Sequence, residues 1–484
     1  MSTKNVFLQK LSAMVFSNIE FIFYFLPIVL VLYYLAPKVA KNIVLLLASL
    51  FFYAWGAPDF FPIFIVSMIC NFLITRKMHK TSEAKPRKGW LALSLILNIG
   101  LLAYFKYMNF FVDNLNVLLG ATHHSTLQFA RVALPIGISF FTFQSISYTV
   151  DVYRKVCEPL QRWYDYMLYI SLFPQLIAGP IIRYNTIAEQ LVNRAIPVEV
   201  RVAGFRRFAI GLGKKVLIAN TLAVLADEVF AMDYLSMASG TAWMGILAYT
   251  FQIYFDFSGY SDMAIGIGQM LGFQFSENFN APYISQSISE FWRRWHITLG
   301  GFMKEYLYIP LGGNRGSKGR TFFNLWVVFL ISGLWHGASW TFVLWGVFHG
   351  TFLILDRLFM VDFLKKIGKF PSIMLTFLIV VLGWVLFRAD TVGDAVAFYR
   401  ALFAFRTGAS VTLSSQCLLF FILAVVFSFL PSLKTGDKWM NLLFEQSPSN
   451  SRTIVLFIVS ILLFFLSVGA LATTDFNPFI YFRF

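Results

Sequence analysis

The sequence is short of charge and of cysteine. Only 13% of its 484 residues are Asp, Glu, Lys or Arg, about half of what a soluble chain of this length carries. That deficit argues against a water-soluble enzyme. Cys70, Cys157 and Cys417 stand far apart, with no CxxC spacing, so neither a disulfide framework nor a cysteine metal site is expected. No long run alternates apolar with polar residues, which removes a membrane β-barrel. A G-x-S-x-G nucleophile elbow is missing, and so is a Walker A phosphate loop. None of the six histidines is followed five positions later by Asp, so that acyltransferase arrangement is absent as well.

What is present is apolar. Hydrophobic residues make up 58% of the chain, 56 of them Phe, in runs near 18–20 residues. A helix of that length matches the roughly 30 Å hydrocarbon core of a bilayer, and lipid leaves unpaired backbone no partner outside helices. The expectation is an all-α, polytopic integral membrane protein, with about ten transmembrane helices plus re-entrant and interfacial helices. It forms one membrane domain over 14–484. Met1 to Ala13 is too polar for a cleaved signal peptide. Met14 opens MVFSNIEFIFYFLP, which reads as a natural start, so 1–13 is expected to be a dispensable extension. The net charge of +15 falls in loops between apolar runs, the habit of cytoplasmic loops in membrane proteins rather than of a nucleic-acid binder.

The positive-inside rule orients the chain. Arg76 to Lys88 carries six Lys or Arg and is cytoplasmic. The basic stretch Arg194 to Lys215 is expected to be a cytoplasmic interfacial helix. Tyr166 to Arg183 is apolar but interrupted by Pro174, Gly179 and Pro180, the pattern of a segment that lines a cavity or re-enters. In YFDFSGYSDMAIG, Tyr254 to Gly266, Asp256 and Asp262 lie close to or inside the apolar zone, with Ser258 between them. Either the two aspartates pair with basic side chains as structural locks, or they line a polar path.

The stretch Ser289 to Gly350 holds three of the six histidines, His296, His336 and His349. From Glu290 to Arg320 six Lys or Arg face two Glu, so this part is cytoplasmic. The next charges after His336 begin at Asp356 and are cytoplasmic too. The chain between therefore enters the membrane and returns. Phe323 to Trp335 rises only about 20 Å as a helix, which puts His336 inside the hydrophobic zone or towards its outer side. An ionisable group there is expensive and is a functional candidate. It has no ligating neighbour at i+3 or i+4, which argues against a metal site. It serves either as a hydrogen-bonded core residue or as a neutral general base for a hydroxyl or thiol attacking an acyl group. Gly333 and Gly337 beside it are expected to let another molecule come close. His296 lies among Trp292, Arg293, Arg294 and Trp295, a setting for a phosphate-bearing ligand with a flat ring, or for anionic lipid heads. LGGNRGSKGR, Leu311 to Arg320, either wraps phosphates or is a cytoplasmic turn.

These residues carry a resemblance. ISEFWRRWHITL, YLYIPLGGNRGS and NLWVVFLISGLWHGASWTFVLWGVFHG resemble the signature of the membrane-bound O-acyltransferases. The chain is most similar to the bacterial subfamily that serves alginate O-acetylation. MVFSNIEFIFYFLP, LPIGISFFTFQSISYTVDVYR, FPQLIAGPI and YFDFSGYSDMAIG extend the likeness over most of the chain. The resemblance implies that His336 and His296 are the family's catalytic pair and that 289–350 is the catalytic core. It implies no permanently bound cofactor and acetyl-CoA as the acyl donor. Acetyl would be passed towards an extracytoplasmic polysaccharide, alginate-type or else cellulose or peptidoglycan, with a separate periplasmic acetyltransferase of SGNH type as partner. The location implied is the bacterial inner membrane. On this reading Arg293, Arg294 and Arg315 meet the phosphates of the donor, and Trp292, Trp295, Trp335 and Trp340 wall its path, with Asp256, Ser258 and Asp262 beside it. Intramembrane His and Asp with broken helices also suit a proton-coupled transporter, although no internal repeat is visible.

Overall fold

The computed structural model describes residues 15–177, 179–194, 197–445, 450–473 and 476–478. The expected dispensable extension 1–13 lies outside them. Among the described residues the architecture is helical, with two isolated bridges as the only β pairing. Eight helices are long and apolar enough to cross a membrane, from Lys38–Gly56 to Ser451–Ala472. The helix Ser239–Met270 has 32 residues, ample for a crossing, but Asp256 and Asp262 interrupt its apolar surface. Phe21–Leu35 is apolar and shorter. Together these make a multi-pass, all-helical membrane protein.

The chain forms two compact units. One holds Met1–Pro197 with Ile267–Phe275, the other Val198–Gly266 with Ser276–Phe484. In the first, helices Phe61–Lys80, Ala84–Leu102 and Ile138–Tyr153 are pinned by a buried polar knot. Asn98 Nδ2 donates to Asn71 Oδ1 at 2.6 Å, Ser94 donates to the same oxygen at 2.9 Å, and the Thr75 and Thr149 hydroxyls meet at 3.0 Å. Polar groups withdrawn from water in this way must satisfy one another. The segment from Tyr166 is broken as a helix at its proline. Helix Trp163–Ser171 stops at Leu172, Pro174 begins the short turn Phe173–Leu176, and Gln175 Nε2 closes back on the Tyr169 carbonyl at 2.5 Å.

The second unit holds the main correction. Arg194 to Lys215 is not an interfacial helix. Val198–Phe230 is a 33-residue apolar helix, largely buried, long enough to span by itself. Arg207 and Lys215 are buried and Lys214 half-buried, with counter-charges from Asp256 and Asp262 on the neighbouring helix Ser239–Met270 and from Glu277 in the loop after it. Arg207 donates to Asp262 at 2.9 Å and also binds Glu277, Lys214 reaches Asp262 at 2.7 Å, and Lys215 meets Asp256 at 2.9 Å. The two helices approach so closely because both are bare at the crossing: a Cβ on Gly211 would lie 2.5 Å from the Gly259 carbonyl oxygen, and one on Gly259 would lie 2.7 Å from that of Gly211. Small residues at the contact and polar pairs across it are how helices associate in lipid. Asp256 and Asp262 are thus each paired with a cation of the facing helix.

Candidate active site

The stretch Ser289–Gly350 folds as two short helices, Ile288–Arg294 and Ile297–Met303, followed by a helical hairpin of Lys318–His336 and Trp340–Leu355. The Ser287 hydroxyl caps the first by accepting from Glu290 N–H, and Asp356, at the far end of the hairpin, accepts from Ser289 N–H at 2.7 Å. The hairpin explains both ends lying on one side. Its first arm has 19 residues, about 28 Å of rise, and ends on His336. The glycines serve the hairpin rather than a visitor. A Cβ at Gly333 would lie 2.3 Å from the Phe342 carbonyl oxygen, one at Gly346 would lie 2.5 Å from that of Phe329, and the Phe342 ring already fills the side of Gly337. The sequence expectation that Gly333 and Gly337 admit another molecule is therefore replaced by close helix packing. Gly346→Val is expected to destabilise the detergent-solubilised protein by about 1–3 kcal/mol through overpacking; an unchanged melting temperature would contradict this contact.

His336, 7% exposed, sits where the first arm ends. Aromatic rings meet it edge-on: Trp335 at 4.9 Å, Trp345 at 5.2 Å, and Phe387 at 5.2 Å from the helix Lys369–Arg388. His296 is buried between the two short helices and held at φ +45°, a strained left-handed conformation for a residue with a side chain. A surrounding lattice fixes it there. Ile297 N–H donates to the Asn278 carbonyl at 3.0 Å, and the His296 Nδ1 lies 3.0 Å from Asn278 Oδ1. The same Oδ1 accepts from the Thr298 backbone and hydroxyl, while Asn278 Nδ2 donates to Ser261 at 3.1 Å. Those partners identify Oδ1 as the acceptor, so Nδ1 of His296 carries the proton and Nε2 is its basic nitrogen. Burial pushes this imidazole down to about 3, so it is neutral at physiological pH. Its ring packs on Phe257 at 4.7 Å and on Trp335 at 6.2 Å. Trp335 thus touches both histidines, which are 40 positions apart in sequence. Asn278→Ala is expected to release the His296 tautomer and cost activity by about 10- to 100-fold, read as initial rates on a protein of unchanged melting temperature.

The other expected residues divide. Trp335, Trp295 and Trp292 lie in the same aromatic cluster: Trp295 packs on Trp384 at 4.9 Å and Trp292 on Trp345 at 5.4 Å. Trp340 is 55% exposed and Trp345 and Phe387 take the wall position expected of it. Arg293 and Arg315 are exposed, whereas Arg294 is engaged by Glu290 at 2.8 Å and by the Asn280 carbonyl. Asp256 and Asp262 are occupied in their ion pairs. Ser258 is buried, and its hydroxyl has no hydrogen-bond partner among the described residues. Sequence reasoning missed Asn278, Phe257, Trp345 and Phe387. Phe257 and Trp345 stand within quoted motifs but with nothing to mark them, Asn278 and Phe387 stand outside any, and each reaches a histidine only through the fold.

A buried imidazole in an aromatic enclosure at the tip of the hairpin, with a second histidine one indole away, is the candidate site. The chain belongs to the membrane-bound O-acyltransferase family, whose model matches residues 160–367. Among curated relatives it is 46% identical to a probable alginate O-acetylase of Pseudomonas aeruginosa, across 81% of this chain and 76% of that one. It is 41% identical to a probable alginate O-acetylase of Pseudomonas putida, across 97% and 100%. A peptidoglycan O-acetyltransferase of Helicobacter pylori is 40% identical, across 81% and 80%. The protein is a multi-pass membrane O-acyltransferase.

Proposed function

We propose that this enzyme takes acetyl from acetyl-CoA at the cytoplasmic face of the bacterial inner membrane and hands it on for O-acetylation of an extracytoplasmic polysaccharide of alginate type. The observation that carries the reading is the placement of His336 and His296 on one buried indole, Trp335. In the step proposed, His336 takes the proton of an attacking hydroxyl. The hydroxyl oxygen bonds to the thioester carbonyl carbon, the C–S bond breaks, and the departing thiolate recovers the proton. Dry aromatic walls suit this chemistry because they exclude hydrolysis. Exposed Arg293 and Arg315 are the groups left to meet the phosphates of the donor, Arg294 being held by Glu290. No metal or resident cofactor takes part in this scheme. A separate periplasmic acetyltransferase of SGNH type would complete the transfer to the polymer.

The transporter reading is set aside because the chain belongs to an acyltransferase family. Peptidoglycan as acceptor is the second reading, favoured by the Helicobacter pylori relative named for that activity. The test combines two measurements. Purified protein in proteoliposomes with labelled acetyl-CoA and an alginate oligosaccharide as hydroxyl acceptor is expected to release coenzyme A thiol. A deletion strain is expected to lose acetyl esters from exopolysaccharide while those of peptidoglycan persist. Loss from peptidoglycan alone would move the assignment to the second reading, and absence of thiol release would overturn the donor.

A further inference from the structure

A cavity of about 500 Å³ lies in the second unit, lined by none of the histidines. Three membrane-spanning helices wall it: the second half of Val198–Phe230, the start of Ser415–Ser432 and the end of Ser451–Ala472. Lys434 and Lys438 follow Ser432, and Lys369 Nζ donates to the Ser432 carbonyl at 2.6 Å. By the positive-inside rule that end of the helix is cytoplasmic, so the cavity, at the other end, faces the extracytoplasmic leaflet. Its lining is graded. At the mouth stand Glu228, Gln416 and Thr412, all exposed. Their side chains make no hydrogen bond or ion pair among the described residues. The other polar side chains are already engaged: Thr221 donates to the Leu217 carbonyl at 2.8 Å, and Thr473 to that of Ala470 at 3.0 Å. Ser414 accepts from Cys417 N–H at 3.1 Å, and Asn220 accepts from Lys215 at 2.7 Å. The rest of the depth is apolar, with Val216, Val224 and Leu225 along one wall and Cys417 and Ala470 facing them. No Lys or Arg is among the described lining residues, so the Glu228 carboxylate borders the space without a counter-charge.

We propose that this groove seats one phospholipid of the extracytoplasmic leaflet whose head carries a primary ammonium, as phosphatidylethanolamine does. The ammonium meets the Glu228 carboxylate. The adjoining phosphate accepts from the Gln416 amide and the Thr412 hydroxyl, and an acyl chain lies along Val224, Leu225 and Val216. The dimensions fit a lipid. From Glu228 to Val216 the helix runs about 18 Å, close to one leaflet, or half of a roughly 30 Å hydrocarbon core. Val224 and Leu413 are exposed, so a chain can enter from the bilayer. Charge selects the head, because an anionic lipid would bring its phosphate to a carboxylate that has no cation beside it. A free sugar would leave its inner hydroxyls against the apolar wall, unpaired.

The test uses full-length protein in proteoliposomes of phosphatidylethanolamine and phosphatidylglycerol at equal mole fraction. Each lipid in turn carries a diazirine in the same acyl chain, and cross-links are mapped by mass spectrometry. Labels on Leu225 and Cys417 are the readout, since both line the cavity and both are buried. The ethanolamine lipid is expected to label them about three- to fivefold more than the glycerol lipid, the ratio that an exposed ion pair supports. That preference runs against the net charge of +15, which draws anionic lipid to the protein as a whole. Glu228→Gln keeps the shape and is expected to bring the ratio close to one. Val224→Trp, which fills the groove from an exposed position, is expected to remove label from Leu225 and Cys417 with either lipid. Equal or reversed labelling of the wild type would overturn the headgroup assignment, and so would a ratio unchanged in Glu228→Gln. Absence of label from both residues in the wild type, or label that persists in Val224→Trp, would overturn the lipid occupant itself.

Discussion

His336→Ala is expected to lower acetyl transfer by about 10²- to 10⁴-fold, the range a positioned general base contributes, in a protein that still assembles. The ring stands at the end of the hairpin's first arm, whose close backbone contact with the second arm is made at Gly333, Gly346 and Phe342, while the imidazole adds a ring contact to Trp345 at 5.2 Å. Its loss removes the proton acceptor without removing the packing that forms the hairpin. Labelled acetyl turnover and a melting curve on the same preparation check this. A well-assembled His336→Ala protein with wild-type turnover would remove His336 from the chemistry. His296→Ala should be less clean, because His296 is bonded to Asn278 and packed on Phe257 and Trp335. Its loss perturbs the wall as well as the site.

Lys215→Ala is expected to be the most destabilising single change outside the hairpin. Lys215 and Asp256 are 1% and 2% exposed and 2.9 Å apart. Lys215 also donates to Asn220 at 2.7 Å and to the Pro478 carbonyl. Removing one partner of a buried pair leaves an uncompensated charge and costs about 3–5 kcal/mol. Replacing both by apolar residues of similar volume, Lys215→Met with Asp256→Leu, is expected to recover much of that loss. Melting of the single and double variants in one detergent decides it: additive losses would show that the pair does not couple. The damage should reach the site too, since Phe257, the neighbour of Asp256 in the chain, packs on His296.

The legible part of the site was local. His336 announced itself as an ionisable residue within an apolar run, and the cations on both flanks placed the ends of its segment on one side. The hairpin Lys318–His336 and Trp340–Leu355 agrees with that reading. Arg194 to Lys215 was misread for a physical reason. A run of cations looks like a helix lying in the headgroups unless its counter-ions are known, and here they sit at Asp256 and Asp262 of another helix and at Glu277 in the loop that follows it. The glycines beside His336 were misread similarly, because a bare backbone position invites a ligand or a neighbouring helix equally well. Asn278 had no signal at all. Its value lies in an oxygen aimed at the His296 Nδ1 from 18 positions away.

Composition and hydrophobic run length by themselves determined that this protein is helical and embedded in lipid, since a bilayer admits few other solutions. Tertiary structure alone decided what the polar residues inside the membrane do: Asp256 and Asp262 were each paired with a cation of the facing helix, and His296 and His336 came to share Trp335. These outcomes depend on distances between residues remote in sequence, set by glycine-lined helix contacts, and no local pattern carries them.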